Sequence, residues 1–228
     1  MQNKKMKIII FGLNNTGEKI YQKLKSKKKY KLLLILKKNV QIKKIKNFNP
    51  DFIFSLGYRK KIKQEILDFA KIGSFNIHKS LLPYHSGANP VFWTIFKNTK
   101  AGHTIHRMTN KIDAGNIIMQ REVKYNFDDD AKKLYEKIER QQIKDFFIFL
   151  NNYLYYLKRE KKNFFNKKFY KYKDDFKKFK IINYFTQNKY YKTINLLRAL
   201  NFKPFHNINF KFKDKIYTLK IDIKKINK

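Results

Sequence analysis

The sequence of 228 residues predicts an α/β fold, a mostly parallel β-sheet with helices on both faces. Short continuous apolar runs recur, two of them end at a glycine, and segments with helical spacing lie between them. These runs predict strands at Lys7–Phe11, Leu32–Leu36, Phe52–Leu56 and Ser74–His78. Because parallel strands are buried on both faces, they form continuous apolar runs rather than alternating patterns. The ligand crevice of such a sheet lies at the carboxyl ends of its strands.

The turn after the first strand has two interpretations. The stretch Gly12–Gly17, G-L-N-N-T-G, is rich in glycine like a dinucleotide-binding turn, but its glycines have the wrong spacing. The favoured alternative is a strand-to-helix turn in which Asn15 or Thr16 caps the helix. The apolar run Ile8–Leu13 is too short for the core of a signal peptide, which supports a strand there.

Helical spacing returns in two further segments. A short amphipathic helix is expected at Gln64–Ala70, and a long apolar stripe runs from Ala131 to Leu157. The stretch 158–192 is dense in lysine, phenylalanine and tyrosine, a mixture compatible with base stacking on nucleic acid. A sheet or loop segment is favoured instead, because AT-rich codons make these residues frequent throughout the chain.

The C-terminal part predicts a small region of its own. Ile194–Leu200 has helical spacing, and a break with Pro204 follows at Phe202–His206. Phe210–Phe212 and Ile216–Ile223 are expected to be two strands around a tight turn. We therefore predict a main domain of residues 1–163 and a small C-terminal region of residues 164–228, with one helix and a β-hairpin.

The composition excludes several kinds of site. The chain has no cysteine, so disulfides, thiol nucleophiles, iron–sulfur clusters and cysteine-bound zinc are excluded. His103 and His106 have the spacing of a strand face, but further zinc ligands are not found near them. No apolar run approaches the ~18 residues of a membrane span.

The formal net charge of +37 comes from 54 basic and 17 acidic residues, of which only six basic ones are arginine. A protein that reads phosphates is expected to use more arginine. Residues 1–72 carry a net +16 and residues 151–228 a net +17, whereas residues 73–150 carry only +4. The charge therefore predicts non-specific attraction to RNA or acidic lipid at low salt rather than a dedicated nucleic-acid site.

Three polar residues predict a chemical site. Asn76 and His78 lie two apart at the end of a predicted strand, so their side chains point to the same side, and Asp113 lies in a loop before Gly115. An amide donor, a histidine and a carboxylate suit acyl transfer to an amine without a covalent enzyme intermediate. Each residue alone has an ordinary structural explanation: a turn cap, a core histidine and a second cap.

Five short elements around these residues resemble the N10-formyltetrahydrofolate-dependent formyltransferases, in the order and spacing of that family. They are N-P-D-F-I-F-S-L-G-Y-R (Asn49–Arg59), N-I-H-K-S-L-L-P (Asn76–Pro83), G-A-N-P-V-F-W (Gly87–Trp93), A-G-H-T-I-H (Ala101–His106) and I-D-A-G-N-I-I (Ile112–Ile118). The resemblance covers about two thirds of the chain. It implies the Rossmann-like formyltransferase fold, with the main domain as the catalytic domain.

The resemblance also implies roles for individual residues. Asn76, His78 and Asp113 match the family's catalytic asparagine, histidine and aspartate. N10-formyltetrahydrofolate is the implied co-substrate, with no metal. The implied folate contacts are Leu81, Leu82, Pro83, Ile112 and Asp113.

Within the family, Leu82–Tyr84 followed by Gly87–Trp93 looks like the sugar N-formyltransferases, which formylate nucleotide-linked amino-deoxysugars. This implies a dTDP-4-amino-4,6-dideoxyglucose-type acceptor, a cytoplasmic enzyme of lipopolysaccharide O-antigen biosynthesis, and pairing of two copies through the C-terminal strands. Tyr84, Asn89 and Trp93 are candidate acceptor contacts, although a core role is favoured for Trp93.

Two other functions stay open. Methionyl-tRNA formyltransferases resemble the chain around the three catalytic candidates, and the basic tail favours them, but they carry a larger C-terminal barrel. A non-catalytic RNA-binding protein on the same fold is the second, and the intact catalytic candidates oppose it. The glycinamide ribonucleotide branch shares only S-L-L-P.

The chain departs from the family at Ser86, where arginine is common, at Asn116, where aspartate is usual, and at His103, which is expected to crowd the core.

Overall fold

A computed structural model describes residues 5–36, 41–173, 175, 190–202, 208–212, 215–219 and 221–224 of the chain. The strands are β1 (Met6–Phe11), β2 (Tyr30–Ile35), β3 (Phe52–Ser55), β4 (Gly73–His78), β5 (Gly102–Arg107), β6 (Ile117–Glu122), β7 (Ile208–Phe212) and β8 (Lys215–Leu219). The helices are α1 (Asn15–Lys25), α2 (Ile42–Phe48), α3 (Gln64–Leu67), α4 (Pro90–Phe96), α5 (Ala131–Asn151), α6 (Tyr153–Leu157) and α7 (Tyr190–Leu200). A 3₁₀ turn follows α6 at Lys167–Phe169.

The main sheet has six strands in the order β2-β1-β3-β4-β5-β6. The pairs β1–β2, β1–β3 and β3–β4 are parallel, whereas β4–β5 and β5–β6 are antiparallel. The prediction of a mostly parallel, Rossmann-like α/β sheet is confirmed. The antiparallel β5 and β6 continue the sheet beside β4, and they bring the chain back past the end of the strand that carries Asn76 and His78.

Both faces of the sheet are covered, as the continuous apolar runs predict. Ile8 and Ile10 of β1 pack in the cluster under α1 and α5, whereas Ile9 and Phe11 pack in the cluster with α2 and α3. Phe52, Phe54 and Phe75 extend the first cluster and meet Phe146 and Phe149 of α5 ring to ring. The central strands β1 and β3 therefore bury both of their faces, as expected of parallel strands inside a covered sheet.

The turn after β1 confirms the strand-to-helix interpretation but changes the cap. Asn14, not Asn15 or Thr16, is the N-cap, because its Oδ1 accepts a hydrogen bond from the Gly17 N–H at 2.8 Å. Gly12 has φ +75°, and a Cβ there would lie 2.6 Å from the Tyr58 backbone nitrogen. The glycine therefore permits two loops at the carboxyl edge of the sheet to touch.

Several boundaries differ from the sequence prediction. The long stripe is divided at Asn152 into α5 and α6, the predicted Gln64–Ala70 helix ends at Leu67, and β8 ends at Leu219 rather than Ile223. The antiparallel β7–β8 hairpin is confirmed, while its turn at residues 213–214 and the predicted break at Phe202–His206, apart from Phe202, lie outside the described residues. The sequence patterns did not predict α2 or α4.

The segment that follows α6 lies against the main sheet. The Ile117 and Lys161 backbones exchange two hydrogen bonds of 2.8 Å, and the Lys171 backbone bonds to Ser86 and Ala88. The C-terminal α7 packs through Leu196, Ala199 and Leu200 in one apolar cluster with α4 and α5. The division at residues 163 and 164 stays a prediction, although these contacts join both predicted regions. In the described part of the chain, no helix combines the length and apolarity needed to span a membrane.

Candidate active site

The three catalytic candidates come together at the carboxyl end of β4. The Asn76 side-chain amide nitrogen lies 3.4 Å from Asp113 Oδ1, and His78 Nδ1 lies 3.4 Å from Asp113 Oδ2. His78 and Asp113 are buried, with 7% and 6% of their surfaces exposed. The predicted assembly of a histidine, an amide and a carboxylate at this sheet edge is therefore present in the fold.

Asp113 is held in an unfavourable backbone conformation. Its φ is +53°, in the left-handed region that residues other than glycine rarely adopt. The buried Asn163 Nδ2 donates to the Asp113 carbonyl at 2.9 Å, and the Gly87 N–H donates to Asp113 Oδ2 at 2.8 Å. Such strain persists only where the surroundings determine the conformation, and two segments distant in sequence do so here.

The surroundings of Asp113 keep its carboxyl ionised. Burial by itself would raise the pKa of the Asp113 carboxyl. The positive charge of His78 and the hydrogen bond from His106 outweigh burial, with a further contribution from the Gly87 N–H. The pKa therefore lies far below its ordinary value, and Asp113 is a carboxylate at any pH near neutrality.

His106 is a fourth member of the site. It faces Asn76 across the β4–β5 pair, and its Nε2 lies 3.1 Å from Asn76 Nδ2 and 3.3 Å from Asp113 Oδ1. Its Nδ1 donates to the Arg107 carbonyl at 2.7 Å, which orients the ring. The sequence shows His106 at strand spacing from His103, but only the antiparallel register places it opposite Asn76.

His85 completes the surroundings of His78. The His78 Nε2–H donates to the His85 carbonyl at 3.0 Å, since a carbonyl oxygen can only accept. Burial, and after it the charges of Lys97 and Lys171, lower the pKa of the His85 imidazole to about 4, so this ring is neutral near pH 7. Its Nε2 lies 2.7 Å from Thr99 Oγ1. No motif in the sequence pointed to His85, because its backbone rather than its side chain meets the site.

The candidate folate loop lies beside His78. The Leu82 N–H donates to Thr104 Oγ1 at 3.1 Å, and Gln120 Nε2 donates to the Leu82 carbonyl at 2.8 Å. The Leu82 side chain is buried, whereas Leu81 and Pro83 are half-buried. Ile112, next to Asp113, is 49% exposed. The structure thus shows a fixed loop shortly after His78 in the chain and an exposed apolar side chain just before Asp113.

The acceptor candidates differ in their surroundings. Tyr84 is 51% exposed, with its ring centroid 4.8 Å from that of Phe169. Asn89 donates from Nδ2 to the Lys173 carbonyl at 3.4 Å. Trp93 is only 4% exposed and packs in the apolar cluster of α4, α5 and α7. This position agrees with the core role that the sequence favoured, and an acceptor contact of Trp93 stays a prediction.

The three departures from the family have distinct surroundings. His103 does not crowd the core, because its Nε2 lies 2.7 Å from Asp145 Oδ2 in a fully buried pair. Asn116 Nδ2 donates to Glu160 Oε1 at 3.2 Å. Ser86 is buried, and its carbonyl accepts from the Lys171 N–H at 2.8 Å. The expectation of crowding at residue 103 is therefore wrong.

The His103–Asp145 pair is supported by further donors. Burial would raise the pKa of the Asp145 carboxyl, but hydrogen bonds from His103, Arg121 and Gln141 lower it to about 2. Arg121 Nε donates to the same carboxylate oxygen at 2.7 Å. A hydrogen-bonded histidine–aspartate pair thus occupies a core position where the resemblance implies an apolar side chain. Among the described residues, no group of three or more acidic or histidine side chains is arranged to hold a metal ion.

An α/β sheet that gathers an asparagine, a histidine and an aspartate at one strand end has the architecture and site residues expected of a formyltransferase. The family described as formyl transferase matches residues 13–148, which is more than half of the chain. The chain belongs to the formyl transferase family.

Two curated relatives match parts of the chain. The bifunctional polymyxin resistance protein ArnA of Wigglesworthia glossinidia brevipalpis is 39% identical over 132 residues, which cover 55% of this chain and 20% of that protein. A methionyl-tRNA formyltransferase of Thermodesulfovibrio yellowstonii is 39% identical over 98 residues, 42% of this chain and 32% of that protein. The match therefore spans a fifth to a third of the length of these relatives.

Solved structures match over more of the chain. A 4-N formyltransferase from Francisella tularensis superposes with a TM-score of 0.81 at 22% identity, over 97% of this chain and 99% of the other. The formyltransferase PseJ from Anoxybacillus kamchatkensis, in complex with UDP-4,6-dideoxy-4-formamido-L-AltNAc and tetrahydrofolate, has a TM-score of 0.62 at 27% identity, over 83% and 97% of the two chains. The formyltransferase fold predicted from the sequence is confirmed.

Proposed function

We propose that this chain transfers a formyl group from N10-formyltetrahydrofolate to the amine of a nucleotide-linked amino-deoxysugar, with dTDP-4-amino-4,6-dideoxyglucose-type sugars as the first acceptors to test. The observation that carries the proposal is the convergence of Asn76, His78 and His106 on the ionised, buried Asp113. PseJ, at 27% identity, supports it through the nucleotide-linked formamido sugar and the tetrahydrofolate in its complex.

In the proposed reaction, the amine nitrogen attacks the formyl carbon and forms the new C–N bond. The bond from that carbon to N10 breaks, the amine releases one proton, and N10 takes up a proton as tetrahydrofolate leaves. Asp113 keeps His78 in place and helps to take up the amine proton, because it is a carboxylate near neutral pH, although its lowered pKa makes it a weak base. Its anchored position removes the orientational cost of finding the amine.

Asn76 and His78 stabilise the oxyanion that develops on the formyl oxygen. The Asn76 amide nitrogen has two N–H groups and lies 3.1 Å from His106 Nε2 and 3.4 Å from Asp113 Oδ1, so one of these N–H groups turns to the formyl oxygen when the substrate binds. The His78 Nε2–H is the ring donor that does not face Asp113. We expect this donor to exchange the His85 carbonyl for the substrate oxygen, which makes the His85 loop part of the reaction cycle.

The remaining site assignments belong to the same proposal. Leu81, Leu82, Pro83 and Ile112 form the folate side, and Tyr84 and Asn89 form the acceptor side. The donor set suits this co-substrate, because an amide nitrogen and a histidine N–H can hold a formyl oxygen without a metal. A place in lipopolysaccharide O-antigen biosynthesis, a cytoplasmic location and pairing of two copies through the C-terminal strands complete the proposal.

The testing experiment supplies N10-formyltetrahydrofolate with a panel of nucleotide-linked amino sugars, and separately with methionyl-tRNA, and follows product mass. A gain of one formyl group on a nucleotide sugar, absent with Asp113→Asn, is the expected result. Formyl-methionyl-tRNA as the sole product would overturn the sugar acceptor and leave formyl transfer in place. The absence of product from every acceptor, together with no folate binding, would overturn the activity itself.

Methionyl-tRNA is the second candidate acceptor, favoured by the relative from Thermodesulfovibrio yellowstonii at 39% identity. The net charge of +17 on residues 151–228 also suits an RNA acceptor. The sugar acceptor is preferred because Gly87–Trp93 resembles the sugar enzymes. A non-catalytic RNA-binding role is opposed by the intact arrangement around Asp113.

A further inference from the structure

A short segment after α6 holds the Asp113 loop from outside the site. We call residues 160–163 the clamp. The carboxylate of Glu160 accepts from Arg107 Nε at 2.6 Å and from Asn116 Nδ2 at 3.2 Å. At the other end of the clamp, Asn163 Nδ2 donates to the Asp113 carbonyl at 2.9 Å. The clamp therefore contacts both ends of the Asp113 loop, which consists of residues 113–116.

The backbone of the clamp adds a second attachment. Lys161 pairs with Ile117 through two hydrogen bonds of 2.8 Å, so the clamp runs beside the start of β6. The Arg107 N–H also donates to the Asn116 carbonyl at 2.9 Å. The loop of residues 113–116 thus lies between β5 and the clamp, and each side contributes hydrogen bonds to it.

The need for a clamp follows from the backbone of Asp113. Its left-handed conformation is unfavourable for a residue with a side chain, so its geometry depends on external contacts. Asn163 is 7% exposed, and replacement of its amide would leave the Asp113 carbonyl buried without that donor. A small rotation of this loop would move the Asp113 oxygens away from His78 and Asn76.

We propose that Glu160 and Asn163 are positioning residues for Asp113, and that Asn116 is matched to Glu160. The usual family residue at position 116, an aspartate, would place a second carboxylate against that of Glu160, and two like charges at this distance repel. An asparagine at this position donates instead. The asparagine at residue 116 is therefore matched to Glu160, and it does not indicate lost activity. For its kinetic effects this inference rests on the proposed formyl transfer.

The test compares Glu160→Gln, Asn163→Ala, Asn116→Asp and the double variant Asn116→Asp/Glu160→Gln with wild type. Lys162→Gln is the matched control, because this neighbouring side chain is exposed and contacts only the Phe164 ring among the described interactions. We expect Asn116→Asp to lower kcat about thirtyfold at pH 8 with little change in KM, since it displaces Asp113 rather than the substrate pockets. The loss should shrink as the pH falls, because protonation of either of the two facing carboxylates removes their repulsion.

The double variant decides between positioning and simple damage. Removing the Glu160 charge should restore the Asn116→Asp enzyme to within about threefold of Glu160→Gln alone, a strongly non-additive result. Additive losses in the double variant, or a loss in Asn116→Asp that does not change with pH, would overturn the pairing. Asn163→Ala with an unchanged kcat would overturn the role of Asn163.

A measurement without substrate separates this inference from the proposed activity. The chain has 5 histidines, so the ring signals of His78 and His106 can be followed in an NMR pH titration. Asn163→Ala and Asn116→Asp should shift the titration midpoints of both rings, because Asp113 faces both of them. Lys162→Gln should leave them unchanged. Shifted midpoints in a protein that transfers no formyl group would uphold the clamp and refute the activity, and unshifted midpoints would refute the clamp.

Discussion

His78 and Lys79 are neighbours in the chain, but their side chains enter different surroundings. His78 meets Asp113 in the site. The buried Lys79 Nζ donates to Thr16 Oγ1 at 2.7 Å and to Gln142, and it lies 4.5 Å from the centre of the Tyr135 ring. Thr16 in turn donates to the buried Glu139. At the end of β4, His78 therefore faces the site, whereas the buried Lys79 amine links α1 to α5.

The catalytic candidates make the first prediction. Asn76→Ala and His78→Ala should each lower the turnover of formyl transfer by about a hundredfold or more, because each removes a donor to the developing oxyanion. Thermal unfolding should show that both variants remain folded. Asn110→Ala, at an exposed position before the Asp113 loop, is the control and should keep its turnover. Near-normal turnover in either site variant would contradict the assigned roles.

The second prediction concerns the pH dependence of stability. Burial lowers the pKa of Lys79 from 10.5 to about 7, although the Glu139 charge raises it. Between these values the unfolded chain binds a proton that the folded protein does not, so the free energy of unfolding rises with pH. Relative to Lys79→Met, wild type should gain roughly 3 kcal/mol between pH 7 and pH 9.5.

Urea unfolding of both proteins across that pH range measures this difference. The comparison cancels the titration of the tyrosines, which the two proteins share. Lys132→Met, at an exposed position on α5, should follow wild type at every pH. If the difference in unfolding free energy between wild type and Lys79→Met stays constant with pH, Lys79 remains charged in the folded protein.

Helix α7 shows how the C-terminal part is joined to the main sheet. Its apolar residues Leu196 and Leu200 pack against α4 and α5, and Arg198 is 1% exposed in the same contact. The Arg198 guanidinium donates to the carbonyls of Asn126 and Asp129. Arg198 therefore hydrogen-bonds backbone carbonyls just before α5, and these bonds hold α7 in its position.

The third prediction tests this attachment. Arg198→Ala should lower the free energy of unfolding by about 3–5 kcal/mol, because it leaves a cavity and removes the donors to the buried Asp129 carbonyl. Chemical denaturation measures the effect. Arg140→Ala removes an exposed arginine of α5 and should change stability by less than about 0.5 kcal/mol. Equal effects in the two variants would show that α7 contributes little to the fold.

The charge of the molecule is uneven along the chain and small near the site. Residues 73–150, which include Asn76, His78 and Asp113, carry only +4 of the total +37. Lysine rather than arginine supplies most of the excess, and lysine is a strongly hydrated point charge with little geometric selectivity. A field of this kind attracts polyanions without distinguishing among them.

The fourth prediction follows from that field. The RNA affinity should fall steeply as salt is added, and log Kd should change linearly with the logarithm of the salt concentration. The Kd should be the same for RNAs of unrelated sequence. Fluorescence anisotropy with a tRNA, a scrambled RNA and heparin measures both properties. Because the effect is electrostatic, Asp113→Asn should bind RNA like wild type. A salt-resistant complex with one tRNA would contradict this prediction and favour the methionyl-tRNA acceptor.

The sequence alone determined the first four strands, their order along the chain and the catalytic candidates. Runs such as Phe52–Ser55 bury both faces of a strand, a local property that composition shows directly. The period of two in a strand is enough to place Asn76 and His78 on one side of the sheet. The family motifs then assigned Asp113, 35 residues after His78, to the same site.

Only the tertiary structure decided the contacts that depend on strand register and on chain return. His106 lies opposite Asn76 because β5 is antiparallel to β4, and His103 meets Asp145 because α5 crosses the sheet at that place. The clamp reaches Asp113 from 50 residues away along the chain. Local patterns encode periodicity and burial, but not which distant segments become neighbours, because the closure of long loops is set by the packing of the whole chain.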